Sequence, residues 1–180
     1  MNTYIALFRG INVGGNNKLP MKELVAVLEG LGLRDIRTYI QSGNVVFSGK
    51  AEDKIKLAAR ISAALKKSHG FEPWVLLLEA EALERAIKAN PFPEGEADGK
   101  TLHFNFLASV PPKPDLTGLE RLKAASERFQ LKGDVFYLHA PDGIGRSKLA
   151  SNMERLLGVP MTGRNWNTVC KLQELLEDQP

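Results

Sequence analysis

The chain has 180 residues, 43% hydrophobic and 25% charged, with a net charge of +3; this is an ordinary globular composition, enough for one domain or two small ones that share a core. No apolar run of about 18 residues is present, which excludes a membrane-spanning helix, and a single cysteine, Cys170, excludes an internal disulfide. The charge falls short of the dense basic stripe of a committed nucleic-acid binder; the start MNTYIALFRG lacks the features of a secretion signal, so a reducing cytoplasm is the expected compartment.

In chain order, TYIALFRG reads as a strand, rich in β-branched and aromatic residues. From Pro20 to Leu31 the apolar residues Met21, Leu24, Val25, Leu28 and Leu31 fall on one helical face. Pro20 suits a first turn, where its missing N–H would have no partner, and Gly32 ends the helix. IRTYIQSGNVVFSG predicts two strands around Ser42-Gly43. A helix from about Glu52 to Ser68 follows, then the strand PWVLLLEA. Strand, helix, hairpin, helix, strand is the order of a split βαβ, or ferredoxin-like, unit.

The second half repeats that order. KTLHFNFLAS predicts a strand, LTGLERLKAASE a helix, RFQLKGDVFYLHAP a hairpin turning at Gly133-Asp134, and SKLASNMERLLG another helix. The hairpins match locally, SGNVVF against KGDVFY. The expected fold class is therefore α+β: two ferredoxin-like (split βαβ) subdomains in tandem, packed together, plus a C-terminal helix from about Asn167 to Glu177. The expected boundaries are 1–90 for the first subdomain, 91–99 for a Pro-, Gly- and acid-rich linker, and 100–180 for the second with its extra helix. WVLLLEA is apolar at both parities, with Trp74, Leu76 and Leu78 on one face and Val75 and Leu77 on the other. Such a strand is buried on both sides.

Four polar stretches stand out. RGINVGGNNKLP follows a strand and precedes a helix, a position where free N–H groups attract anions. Gly14 and Gly15 can curl into a nest of donors, with Arg9, Asn12 and Lys18 beside them. The spacing is that of neither a Walker loop nor G-x-G-x-x-G. A plain structural turn explains the stretch equally well. QSGNVVF places Gln41, Ser42 and Asn44 at a hairpin turn, where ordinary turn chemistry accounts for them.

HAPDGIGRSK puts Arg146 and Lys148 at a helix start, a placement the dipole disfavours unless an anion or water offsets it. Asp142 and Ser147 read as turn and cap residues. In TGRNWNTVCKL, Arg164, Asn165 and Trp166 precede a helix for which Asn167 is the expected N-cap. Trp166 reads either as a stacking surface or as a lid on the core. Of the histidines, His69 reads as a cap and His103 as facing the polar side of its strand. His139 and Asp142 form the one His–carboxylate pair close in sequence. No Cys/His cluster has metal spacing, and Ser42 and Ser147 lack a nucleophile elbow.

Taken in order, LFRGINVGGNNKLPMKEL, TYIQSGNVVF, NPF, YLHAPDGIGRSKL and RNWNTV resemble, essentially end to end, a bacterial family known only as domain of unknown function family 1697. The resemblance implies no reaction, substrate or cofactor. It does imply that these polar segments are hallmarks of the family rather than arbitrary turns.

The leading functional expectation is a cationic loop pocket for a phosphorylated or carboxylated small molecule, a nucleotide among them. Its residues are Arg9, Asn12, Gly14, Gly15, Lys18, Gln41, Ser42, Asn44, Arg146, Lys148, Arg164, Asn165, Trp166 and Asn167. Whether the ligand is turned over is left open, and no metal or cofactor is assigned. Two alternatives stand beside it: a nucleic-acid module using Tyr4, Phe8 and Phe47 on an open sheet face, and a protein-interaction surface.

Overall fold

The structure is a computed structural model that describes residues 1–178. The first elements are β1 (Asn2–Arg9), α1 (Met21–Gly30), β2 (Arg34–Tyr39), β3 (Asn44–Gly49), α2 (Lys54–His69), β4 (Trp74–Glu79) and α3 (Ala80–Lys88), followed by a 3-10 helix at Pro93–Asp98. Then come β5 (Leu102–Leu107), α4 (Leu116–Leu122), β6 (Arg128–Lys132), β7 (Val135–His139), α5 (Lys148–Leu157), β8 (Met161–Asn165) and α6 (Trp166–Glu177). The two four-stranded antiparallel sheets have equivalent orders, β2-β3-β1-β4 and β6-β7-β5-β8. Each is a ferredoxin-like unit, so the fold is α+β with two such units in tandem and a C-terminal helix.

The chain divides into unit 1, Met1–Arg85 with the stretch from Cys170 onward, and unit 2, Ala86–Val169. Residues 91–99 hold the 3-10 helix and belong to unit 2.

In unit 1 the alternation of β1 sets both faces. Tyr4, Ala6 and Phe8 stand across from Phe47 and Val45 on β3 and Leu77 and Val75 on β4. They join Leu24 and Leu28 of α1 and Leu57, Ile61 and Leu65 of α2 in one core. Burying each such side chain is worth roughly 1.5–3 kcal/mol. On the other face Ile5, Leu7 and Val46 are fully buried and Leu78 nearly so. The central strands are covered on both sides, but on β4 the second face is only partly so, with Leu78 buried and Trp74 and Leu76 half-buried.

In unit 2, Leu107, Phe136, Leu138 and Met161 pack with Leu119 of α4 and Leu149 and Leu157 of α5. The opposite face carries Leu102, Phe104, Phe106 and Tyr137, all buried. Residues 86–98 of the same unit pack on it. The Tyr137 hydroxyl donates to the Ala86 carbonyl at 2.6 Å and Lys132 Nζ to the Ala89 carbonyl at 2.6 Å. Phe92 stacks on His139 with centroids 6.3 Å apart, and Arg128 lies over the same ring while pairing with Glu94.

The elements differ from the sequence expectation in several places: the helix expected over LTGLERLKAASE stops at Leu122, where Lys123 takes an extended backbone, and the expected linker holds the 3-10 helix. The segment between β4 and the expected linker, to which the sequence assigns no element, is a helix, α3. Residues 161–165, expected as a loop before the last helix, form β8, paired along one side of β5.

Candidate functional site

The first polar loop folds back on itself. Val13 and Asn16 form a bridge, with the Asn16 N–H donating to the Val13 carbonyl at 3.0 Å. Gly14 and Gly15 between them have φ of 59° and 78°, the signs a type I′ turn demands. The glycines are thus the tip of a short exposed finger. Asn12, itself at φ 53°, closes its base: Oδ1 accepts from the Leu19 N–H at 2.7 Å, and Nδ2 donates to the Leu19 carbonyl at 2.8 Å. Asn17 Nδ2 donates to the Gly10 carbonyl at 2.9 Å. Arg9 and Lys18 are exposed at either end.

This finger meets the β2–β3 turn. Asn12 Nδ2 also donates to the Gln41 carbonyl at 2.7 Å, and the Phe8 N–H donates to the Gly43 carbonyl at 2.9 Å. Gly43, at φ +80°, lies so close that a Cβ there would stand 2.5 Å from Phe8 Cβ. Buried Asn44 donates through Nδ2 to Ser42 Oγ at 3.1 Å and to the Tyr39 carbonyl at 3.3 Å. Two of the four polar stretches therefore converge, and Asn12, Ser42 and Asn44 are engaged in holding them.

The other two stretches belong to unit 2. The loop after β7 leads into α5, whose N-cap is Ser147: its Oγ accepts from the Ala150 N–H at 3.0 Å. Exposed Arg146 and Lys148 flank this first turn and line an open groove of about 360 Å³ with Ile144, Ser151 and Met153. The same Ser147 hydroxyl donates to Glu127 Oε2 at 2.5 Å, and Ser126 Oγ donates to Asp142 Oδ2 at 2.6 Å. Each loop thus offers a serine to the other's carboxylate. The sequence reading missed Glu127, because it lies 20 residues from Ser147.

Arg164 stands on β8 across from Phe104. Its Nη1 donates to Thr162 Oγ1 and to the Gly163 carbonyl, both at 2.8 Å, and burial pulls its guanidinium down to about 10. It stays charged at neutral pH. Trp166 is half-buried against Phe104, ring centroids 5.6 Å apart. The N-cap of α6 is Asn165, not Asn167: Asn165 Oδ1 accepts from the Thr168 N–H at 3.0 Å, two residues earlier than expected. Exposed Asn167 sits against Gly99, whose lack of a Cβ makes room for it. β7 and β8 both end beside the start of β5, but the groove at α5 is not lined by Arg164–Asn167.

The histidines also differ from expectation. His103 does not face the polar side: its Nε2 is buried without a hydrogen-bond partner, and burial pulls its pKa down. His139 stacks on Phe92, while Asp142 is taken by Ser126, so the two do not pair. At the end of α2, His69 Nε2 contacts Glu23 Oε2 at 2.7 Å, and Gly70 supplies the left-handed cap. Among the described residues no group of three or more His, Cys, Asp or Glu is placed to hold a metal ion. No described helix is long and apolar enough to cross a membrane.

The fold is similar to that of a conserved bacterial protein, SP0830 from Streptococcus pneumoniae, with 27% identity, a TM-score of 0.74, and coverage of 97% of this chain and 98% of that one. Among curated proteins no sequence matches. The sequence model of a protein family of unknown function matches residues 1–137, and the chain belongs to that family, DUF1697.

Proposed function

We propose that the chain binds a phosphorylated or carboxylated small molecule, a nucleotide among them, at the start of α5. The observation that carries this reading is the pair of exposed cations, Arg146 and Lys148, flanking the first turn of α5 in one groove. The dipole disfavours cations there, and an anion between them and the helix N–H groups reverses that penalty. The groove's volume is in the range of small-molecule sites.

A thermal-shift screen against nucleotides, sugar phosphates, acyl phosphates and inorganic phosphate tests it. A ligand at 100 times its Kd stabilises the folded chain by about 2.7 kcal/mol. The expected result is a shift with one anion that disappears in the Arg146→Ala/Lys148→Ala double variant. A shift that survives in that variant would sink the assignment. The same screen on Arg164→Ala, a residue of the same unit, decides whether that side chain contributes.

Nucleic-acid binding on the sheet is disfavoured by burial. Tyr4 and Phe47 are 0% exposed and Phe8 1%, so no base can stack on them. A protein-contact reading has one specific observation in its favour: Val13 and Ile40 are 63% and 52% exposed on the two loops that Asn12 joins. Light scattering of the wild type against a Val13→Ser/Ile40→Ser variant tests self-association there.

A further inference from the structure

The two faces of the sheet in unit 2 differ in chemistry. Leu107, Phe136 and Leu138 pack toward α4 and α5. On the opposite face, the two central strands carry a group of rings, Phe104 and Phe106 on β5 and Tyr137 and His139 on β7. Register places Arg128 across from His139, Lys132 across from Val135 and Arg164 across from Phe104, so cations flank the rings on both sides. None of the four strands contains an Asp or Glu. Rings on the central strands of a split βαβ sheet, framed by cations, suit single-stranded nucleic acid: bases stack on the rings and phosphates pair with the cations. In unit 1 the corresponding rings, Tyr4 and Phe47, face α1 and α2 instead.

Residues 86–98 pack on this face and hold it by contacts of the same kind. Phe92 stacks on His139, as a base would, and Glu94 pairs with Arg128, as a phosphate would. The Tyr137 hydroxyl and Lys132 Nζ donate to the Ala86 and Ala89 carbonyls, both at 2.6 Å, as they would to sugar or phosphate oxygens. From 89 to 99 the segment carries Glu94, Glu96 and Asp98 and no Lys or Arg. Among the described residues no backbone–backbone hydrogen bond ties 86–98 to a strand of the sheet, so its polar contacts there run through side-chain tips. We propose that this face of unit 2 binds single-stranded RNA or DNA, and that residues 86–98 occupy it as an internal competitor which the nucleic acid displaces. Phe104, Phe106 and Tyr137 are at most 2% exposed, so binding requires the segment to leave. Trp166, half-buried against Phe104, adds an indole at the rim of the same surface.

The test titrates the purified full chain into fluorescein-labelled oligouridylate and, separately, oligothymidylate, read by fluorescence anisotropy. Saturable binding that weakens as salt rises is expected, and the tighter arm identifies the sugar preferred. Phe92→Leu/Glu94→Gln removes the ring and the charge of the internal competitor while nearly keeping its volume. It should bind about tenfold more tightly, because the open face is then more often available. Adding Arg128→Ala/Lys132→Ala to that variant should abolish the gain. Hydrogen exchange on the wild type needs no variant to fold: saturating oligonucleotide should speed exchange within residues 86–98. No binding of either probe overturns the proposal, as does binding that leaves exchange in 86–98 unchanged. Equal affinity of the wild type and Phe92→Leu/Glu94→Gln also overturns it. So does binding that survives Arg128→Ala/Lys132→Ala and is lost in Arg146→Ala/Lys148→Ala, which would place the oligonucleotide in the α5 groove.

Discussion

In unit 1 the polar loop follows the first strand, and its amides turn inward, with Asn12 making three hydrogen bonds and Asn17 one. In unit 2 the loop after the first strand, residues 108–115, carries no such knot among the described residues; the two exposed cations that line a groove lie after the third strand, at the start of α5. Because β1 and β3 run antiparallel, as do β5 and β7, these are opposite ends of the shared unit plan. Sequence richness in Asn, Gly and Lys is thus poor evidence of a ligand when the side chains close their own loop. Cations beside an open groove are better evidence.

The two equivalent hairpin glycines should separate the units by the widest margin. Gly43→Ala forces a left-handed alanine and drives a Cβ against Phe8 and Ile11. Its cost is about 2–5 kcal/mol, combining backbone strain with overpacking. Gly133→Ala, at φ +59° with open space around it, loses only about 1–2 kcal/mol from the backbone. Urea unfolding of both variants measures the difference; equal losses would mean that the close approach of finger and turn in unit 1 is not tight.

Next in size is Asn12→Ala, which removes three hydrogen bonds at the base of the finger. A loss of about 2 kcal/mol in urea unfolding is expected, and a neutral variant would remove the contrast between the two polar loops. Tyr137→Phe should cost about 1–2 kcal/mol by leaving the buried Ala86 carbonyl without its donor. Hydrogen exchange should rise around residues 86–98 and stay unchanged in the finger.

The smallest expected effect is acid sensitivity in unit 2. Burial, then the nearby Arg128 charge, holds His139 below its usual 6.5. Burial does the same to His103, opposed by a hydrogen bond to the Lys100 backbone and aided by His139. Below 6.5 the unfolded chain takes up protons that the folded chain refuses, so stability rises with pH in that window. The contribution of these groups is complete above 6.5 and is lost as pH falls below it. A fall in unfolding free energy between about pH 7 and about pH 5, seen in urea unfolding and as lower protection of β5 and β7 relative to intrinsic exchange, and reduced in His103→Gln, is the expected outcome.

Much of the frame was legible because it rests on local periodicity. β1, α1 and both hairpins follow from alternation, from Pro20 and Gly32, and from Gly43 and Gly133. β8 was hidden by Pro160, Gly163 and Asn165, which have the composition of a turn. Gly163 is nonetheless needed in the strand, since a Cβ there would stand 2.5 Å from Asn105 Oδ1. α3 was missed although Leu83, Ala86 and Ile87 have helical spacing, because it follows β4 without a break. At the candidate site the charges of Arg146 and Lys148 could be read directly. The Ser147–Glu127 bond could not, since only the folded chain brings β6 and α5 together.

The division of the chain sets an order of synthesis. Unit 2 is a continuous run, 86–169, whereas unit 1 draws on Met1–Arg85 and on residues from Cys170 onward, including the 3.9 Å contact of Arg37 with Asp178. During translation every residue of unit 2 leaves the ribosome before unit 1 receives its last helical segment. The half that is made first is thus the half completed last, and a chain ending at Val169 would contain every residue of the second unit while lacking part of the first.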